Sequence, residues 1–214
     1  MPYLTYNQNI IAMTSYTKYS LDRGFTDYVH KIAISKVYNN VGWIQQDIDS
    51  SALEYLDVHK GIDYLFKAKD GSIKSVQERF REKMYANYSD FTIRYRRDEN
   101  PNKDRVKSEY YKMAADYFTY GITNGNKSDF NTVTNFLKVA IIDLKKVYQK
   151  IDESLIVIRK NNQKVCRIIT EDGERKIECP VLYNRDHSSS FFPIDIKFLI
   201  QLWGNEMVVY KDGF

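Results

Sequence analysis

Short apolar runs that alternate with turn residues dominate the middle of this 214-residue chain. The runs at 62–66, 73–80 and 91–95 have the length of β-strands, and Asp70-Gly71 separates the first two. Runs of this length bounded by Gly and Asp are typical of strands joined by tight turns. We therefore predict three consecutive antiparallel strands, a meander, between residues 62 and 95.

A helix is predicted before these strands. From Thr26 onward, apolar residues recur every three or four positions, as they do on one face of a helix; they are Val29, Ile32, Ala33, Val37 and Tyr38. Thr26 is a residue type that caps helix N-termini, and Gly42 follows the last apolar position. The pattern predicts a helix over 24–41, after an irregular or short-strand lead-in over 1–22.

The rest of the chain mixes both kinds of element. A polar loop is predicted at 98–104 and a helical or irregular segment at 107–115. Further strands are predicted at 116–122, 139–142, 155–158 and 207–210, and further helices at 144–151 and 194–202. This order predicts an α+β fold. Because no break in composition divides the chain, we expect a single domain over 1–214.

The two cysteines are predicted to be neighbours across a hairpin. Asp172-Gly173 readily adopts the positive φ angles of a two-residue turn. If it does so, Glu171 faces Glu174, and the same register places Cys166 opposite Cys179. In a reducing compartment we expect two free, partly buried thiols, with a cross-strand disulfide as the alternative. The C-x-x-C spacing of metal sites is absent.

The composition is that of a soluble globular protein, with 43% hydrophobic residues, 28% charged residues and a formal net charge of +4. No run approaches the ~18 apolar residues that a membrane span needs, and the first residues lack the pattern of a secretory signal. We therefore expect a cytoplasmic protein without a membrane partner. The absence of Gly-rich phosphate-loop and dinucleotide motifs argues against the common nucleotide-binding enzymes.

Polar residues on the first two predicted strands form a candidate metal site. Asp63 lies at the head of one strand, and Gln77 and Arg79 share a face of the next, where neighbouring strands are about 5 Å apart. A carboxylate, an amide oxygen and the carbonyl oxygen of Glu78 make a hard ligand set that suits Mg²⁺ or Mn²⁺. Arg79 would reach a phosphate bound at that metal.

This ordered set resembles the PD-(D/E)XK nuclease superfamily, whose core is a helix, a strand with an Asp, a strand with (D/E)-x-K, and further strand and helix elements. Asp63 matches the motif Asp, Gln77 the Asp/Glu position and Arg79 the Lys position. Asp27, on the preceding helix, matches an extra acidic ligand of some members. The segment 112–121 is similar to the K-x-A-D-Y strand entry of several members. The resemblance covers residues 22–145 and leaves 146–214 as a β-rich C-terminal elaboration.

The resemblance implies a restriction-endonuclease-like core of helix, mixed β-sheet and helix, and a Mg²⁺-dependent endonuclease that hydrolyses phosphodiester bonds of double-stranded DNA. Asp27, Asp63 and Gln77 would hold the metal, and Arg79 would neutralise charge on the attacked phosphate. Cutting both strands usually needs two active sites, which is compatible with a homodimer. Five basic residues would contact the nucleic acid backbone, namely Lys60, Lys74, Arg81, Arg94 and Lys112.

Two departures from the family pattern support an alternative function. Gln77 removes a negative charge from the metal site, although it keeps an oxygen ligand. Arg79 cannot be deprotonated in proteins, so it cannot act as a general base. The alternative is therefore a catalytically inactive nuclease-fold protein that binds nucleic acid or a protein partner.

Other residues offer competing interpretations of the site. Glu78 is a rival ligand if its strand faces the other way. Literal acid-x-Lys triplets occur at 143–145, 174–176 and 195–197, about as often as chance predicts, and the first of them has Asp116 as an upstream acid. The arginine run 94–97 is equally typical of a charged sheet edge. The three histidines show no ligand spacing and are expected to be surface or satisfied side chains: His30, His59 and His187.

Overall fold

The computed structural model describes residues 20–97, 108–184 and 189–214. The predicted lead-in lies outside these ranges, except for residues 20–22, which are helical rather than irregular. The predicted polar loop at 98–104 and His187 also lie outside these ranges. The described residues form an α+β fold with a mixed sheet.

A six-stranded sheet forms the centre of the structure. In spatial order its strands are β1 (Ile44–Gln45), β2 (Tyr64–Lys67), β3 (Ile73–Arg81), β5 (Tyr117–Thr123), β6 (Phe136–Asp143) and β12 (Val208–Asp212). β3 and β5 run parallel, and every other neighbouring pair in this sheet is antiparallel. The last strand of the chain is therefore part of the same sheet as the predicted site strands.

Two three-stranded sheets accompany the central one. The first contains β10 (Leu182–Tyr183), β11 (Ser190–Asp195) and β4 (Asp90–Arg96), in that order. The second contains β7 (Ile156–Arg159), β9 (Glu174–Pro180) and β8 (Arg167–Glu171). In β9 and β8, Glu171 pairs with Glu174 across the Asp172-Gly173 turn, which confirms the predicted hairpin register.

The predicted three-strand meander is wrong in its third strand. β2 and β3 form the predicted antiparallel pair, but β4 pairs with β11 instead of β3. The free edge of β3 is taken by β5, whereas Phe91 and Ile93 of β4 are fully buried in the layer that covers the sheet. Alternation of apolar and polar residues indicates that a segment is a strand, but it does not indicate which strand pairs with it.

The first helix, α1, spans residues 20–41 and includes a π-helical turn at Ile34–Tyr38. Val29, Ala33 and Val37 are fully buried, which confirms the predicted helical face, and Gly42 ends the helix with a φ of +71°. The predicted cap at Thr26 is wrong, because Thr26 lies inside the helix and its hydroxyl donates to the Asp22 carbonyl oxygen at 2.9 Å. The later α-helices of the described residues are α2 (Ser50–Lys60), α3 (Glu109–Lys112), α4 (Leu144–Asp152) and α5 (Ile196–Trp203).

Apolar clusters cover both faces of the central sheet. Along β6, Val139 and Ile141 face the cluster built on α1, while Ala140 and Ile142 face the cluster that contains β4, β11, α4 and α5. Burial on both faces explains why β5 and β6 are almost continuously apolar. No helix within the described residues is long and apolar enough to cross a membrane.

Candidate functional site

The structure brings Asp63 and Gln77 together. The Asp63 amide donates to the Val76 carbonyl oxygen at 2.8 Å, which fixes Asp63 against β3. Its Oδ2 accepts hydrogen bonds from Gln77 Nε2 at 2.8 Å and from the Glu78 amide at 2.7 Å. The antiparallel pairing of β2 with β3 thus places the two side chains in contact, as their spacing predicts.

Asp27, Asp63 and Gln77, the three predicted metal ligands, line one cavity of about 660 Å³. α1 contributes Asp27, which also lies 3.4 Å from Arg23 in an exposed ion pair. Six carboxylates and two arginines line this acidic cavity; the acids are Asp22, Asp27, Glu54, Asp57, Asp63 and Glu78. The excess of negative charge favours a cation over an anion at this place.

The environment of Asp63 disfavours the ionised form of its carboxyl group. Burial raises its pKa to about 8, and the nearby charges of Glu78 and Asp57 act in the same direction, against the hydrogen bond from the Glu78 amide. A bound cation reverses this balance because it favours the ionised carboxylate. Cation binding at Asp63 would therefore release a proton.

Glu78 points to the opposite face of β3 from Gln77. Its carboxylate lies 2.9 Å from His30 Nδ1 and accepts a 2.5 Å hydrogen bond from Tyr38, whose hydroxyl also contacts Thr119 Oγ1 at 2.8 Å. Burial alone would lower the pKa of His30, but the hydrogen bond and charge of Glu78 outweigh it and raise that pKa. Glu78 is thus held by α1 in a polar network, and His30 is a buried, satisfied histidine, as expected.

Arg79 is fixed by Glu109 and makes no ion pair with Asp63 within the described residues. Its Nη2 lies 2.7 Å and 2.8 Å from the two carboxylate oxygens of Glu109, and its Nη1 donates to the Thr92 carbonyl oxygen at 2.6 Å. Arg94 also approaches Glu109, at 3.3 Å. Although burial acts to raise the pKa of Glu109, these two arginines lower it overall.

The predicted backbone-contacting residues are spread over several surfaces. Arg81 and Arg94 line a second cavity, whereas Lys60 is exposed at the end of α2. Lys74 lies over the Tyr117 ring at 5.8 Å, and Lys112 donates to the Val58 carbonyl oxygen. The run that contains Arg94 lies on β4, an edge strand of its sheet, as the charged-edge interpretation expects.

The sequence pattern missed α2, which supplies Glu54 and Asp57 to the acidic cavity. This helix has no buried residue, so it lacks the apolar stripe that identifies most helices. Its capping residues are the available signal. Asp49 accepts from the Ser51 amide at 3.3 Å, and Gly61 ends the helix with a φ of +58°.

Two of the three competing acid-x-Lys triplets, 143–145 and 195–197, have structural roles. Asp143 caps α4 by accepting from the Lys146 amide at 3.2 Å, and Asp195 caps α5 by accepting from the Lys197 amide at 2.8 Å. Lys145 pairs with Asp116 at 2.6 Å, and Asp116 also accepts from the Ser75 hydroxyl at 2.8 Å. These carboxylates are engaged in capping and in joining β3 to α4.

In residues 20–97, 108–184 and 189–214, no three His, Cys, Asp or Glu side chains are arranged to hold a metal ion by themselves. The predicted ligand set contains two carboxylates and an amide, so it depends on Gln77 for its third side-chain oxygen. A site of this kind fits a hard cation that keeps several waters.

No protein-family model, curated protein or solved structure matches this chain.

Proposed function

We propose that this protein is a metal-dependent nuclease that hydrolyses phosphodiester bonds of DNA with Mg²⁺ or Mn²⁺, built on a restriction-endonuclease-like core. One observation carries the proposal: Asp27, Asp63 and Gln77 line a single acidic cavity, with Asp63 held against Gln77. The helix α1 and the mixed sheet supply these residues in the order of the motif that the chain resembles.

The chain's own residues have separable tasks in this proposal. Asp27 and Asp63 would hold the cation through carboxylate oxygens, and Gln77 would ligate through Oε1 because its Nε2 donates to Asp63. The bound cation would supply an activated water and neutralise charge on the phosphate. Glu109 would hold the Arg79 guanidinium in a fixed orientation for the same phosphate.

Cleavage of supercoiled plasmid and of labelled DNA oligonucleotides with Mg²⁺ or Mn²⁺ tests the proposal. We expect Asp63→Asn to reduce the cleavage rate by about 100-fold or more, since it removes the charged ligand at the cation. Asp172→Asn is the matched control, because it makes the same chemical change in an exposed turn and keeps an Asn-Gly sequence that suits the positive φ angle. Absence of cutting by the natural protein, or equal cutting by Asp63→Asn, would reject the proposal.

The double-stranded substrate and the homodimer remain predictions. Simultaneous cutting of both strands gives linear plasmid directly, whereas independent single-strand cuts give nicked circles first. Light scattering of the purified protein measures its oligomeric state in the same buffer. A monomer that only nicks would exclude a dimeric double-strand cutter while leaving phosphodiester hydrolysis intact.

A second candidate function is a nuclease-fold protein that binds nucleic acid or a protein partner without cutting. Arg79 favours it, because a guanidinium engaged with Glu109 and Thr92 cannot remove a proton from water. DNA binding that weakens with salt and that is accompanied by no cleavage in Mg²⁺ or Mn²⁺ would support this function over the first.

A further inference from the structure

A second cavity of about 690 Å³ adjoins the acidic one and is lined by the basic residues Arg79, Arg81, Arg94 and Lys127. We call it the arginine cavity. Arg94 and Glu78 line both cavities, so the two lie side by side along β3 and β4. Carboxylates predominate in the lining of the acidic cavity, whereas the arginine cavity has four basic groups beside the carboxylates of Asp22, Glu78 and Glu82.

Guanidinium groups outnumber the carboxylates that contact them in the arginine cavity. Arg79 and Arg94 share the single carboxylate of Glu109. The Nη2 of Arg81 donates to the Thr92 hydroxyl at 3.0 Å, a neutral acceptor. Lys127 is paired with Asp22, and Glu82 lines the cavity without an ion pair to these arginines in the described residues. Within the described residues Arg81 forms no ion pair with a carboxylate, so its guanidinium is left for an anionic ligand such as a phosphate.

Arg79, Arg81 and Arg94 are all partly buried, so they do not project fully from a flat surface. The side chain of Arg79 is 23% exposed and that of Arg94 is 37% exposed. A duplex presents its phosphates on a convex, stiff surface, which meets protruding side chains more readily than recessed ones. A flexible single strand can direct a phosphate into a cavity of this size.

Aromatic rings share the cavity with the arginines. Tyr85 and Phe191 both line it, and the Arg81 guanidinium carbon lies 4.9 Å from the centre of the Tyr85 ring. Unpaired bases stack on aromatic and guanidinium planes, and this combination with a basic groove is typical of single-strand binding. Bases within a duplex are stacked on each other and do not reach such rings.

We propose that the arginine cavity binds one or two nucleotides of single-stranded nucleic acid, with a phosphate at Arg79, Arg81 and Arg94 and a base against Tyr85 or Phe191. The inference rests on the proposed function and gives its substrate a single-stranded form, in place of the duplex that the family resemblance implies. The strand would continue into the acidic cavity, where the next phosphate lies near Asp63.

Binding of a fluorescein-labelled mixed-sequence 12-nucleotide DNA, measured by anisotropy in EDTA, tests this inference separately from cleavage. We expect the single strand to bind at least about tenfold more tightly than the blunt duplex of the same sequence. Arg81→Gln should weaken single-strand binding about five- to tenfold and reduce the slope of log K against log salt by about 0.7, the value for one phosphate contact. Tyr85→Leu should weaken it at least about fivefold through lost stacking.

Arg175→Gln, on the exposed face of β9, is the matched control and should change affinity less than twofold. Thermal melting identifies any variant that fails to fold, and Lys127→Gln then replaces Arg81→Gln. Equal binding of single strand and duplex, or equal effects of Arg81→Gln and Arg175→Gln, would overturn the inference. Displacement of the strand by thymidine monophosphate at an equal nucleotide concentration would also overturn it, since it would identify a free-nucleotide site.

The two proposals fail separately. Cleavage that depends on Asp63 without preference for single strands would leave the nuclease proposal standing and remove the arginine-cavity one. Single-strand binding that depends on Arg81, without cleavage in any metal, would support the arginine-cavity proposal and reject the nuclease proposal.

Discussion

At the scale of single residues, aspartates that look alike in the sequence serve different purposes. Asp143 and Asp195 cap helices, and Asp116 joins β3 to α4. Asp63 instead lies in the acidic cavity, where burial raises its pKa to about 8. Asp63 also accepts two hydrogen bonds, so burial and the nearby carboxylates, and not a lack of hydrogen-bond donors, distinguish it from the structural aspartates.

Asp116 allows a test of this distinction by pH. Burial acts to raise its pKa, but hydrogen bonds from Lys145 and Ser75 lower it overall. A lowered pKa means that the carboxylate stabilises the fold above its unfolded pKa of about 3.9 and loses that contribution as the pH falls. We expect Asp116→Ala to lower the free energy of unfolding by about 1–3 kcal/mol at pH 7, and the difference to shrink below about pH 4.

Urea denaturation at several pH values measures this effect. Asp47→Ala, at an exposed loop position, is the control and should change stability by less than about 0.5 kcal/mol. A destabilisation by Asp116→Ala that stays constant from pH 7 to pH 3.5 would contradict the assigned ion pair.

At the scale of elements, the sequence predicted most helices and strands but only some of their neighbours. The stripe Val29, Ala33 and Val37 identifies α1, and Asp172-Gly173 sets the hairpin register, because both signals are local. The partner of β4 lies about one hundred residues away, and the sequence pattern of β4 does not indicate that it pairs with β11. α2 was missed because it has no fully buried residue and its sequence lacks a clear apolar stripe.

In the candidate site too, contacts between residues close in sequence were predictable and contacts between distant residues were not. The contact between Asp63 and Gln77 was predictable because a short turn joins β2 to β3. The pairing of Arg79 with Glu109 was not, since these residues are thirty positions apart and meet only through tertiary packing. The contact between Glu78 and His30 was not predictable either, because it forms only where α1 packs against the face of β3.

The Cys166 and Cys179 pair provides a test at the scale of a hairpin. Their sulfur atoms lie 3.9 Å apart as free thiols, Cys179 is fully buried, and Cys166 donates to the Pro193 carbonyl oxygen at 3.0 Å. The hydrogen bond with Cys166 and burial raise the pKa of Cys179. Because the thiolate is the reactive form, we expect iodoacetamide at pH 8 to modify Cys166 at least about tenfold faster than Cys179.

Peptide mass spectrometry over a time course measures both rates. Modification in concentrated urea is the control, where the two cysteines should react at similar rates. Similar rates in the folded protein, or an unmodified mass two daltons lower because a disulfide has formed, would contradict the expectation.

At the scale of the whole molecule, the two apolar clusters share the central sheet. Phe66 belongs to the cluster on α1, Phe192 to the cluster on the other face, and β6 contributes to both. Loss of either cluster exposes one face of the same strands. We therefore expect one cooperative unfolding transition, in agreement with the predicted single domain over 1–214.

Differential scanning calorimetry tests this expectation. Phe66→Ala and Phe192→Ala should each lower the free energy of unfolding by about 3–5 kcal/mol and move the same transition. Ile44→Ala, at a position that is 69% exposed, is the control and should leave it nearly unchanged. Two transitions, with Phe66→Ala shifting only one of them, would contradict the single domain and show that the chain unfolds as separate units.

The pairing of β4 with β11 has a consequence for synthesis on the ribosome. Phe91 of β4 pairs with Ile194, and Ser89 accepts from the Ile196 amide. At about 5–20 residues per second, roughly 5–20 seconds pass between the emergence of these two strands. During that interval the apolar face of β4 has no partner strand, so we expect the nascent chain to be prone to aggregation until β11 has been made.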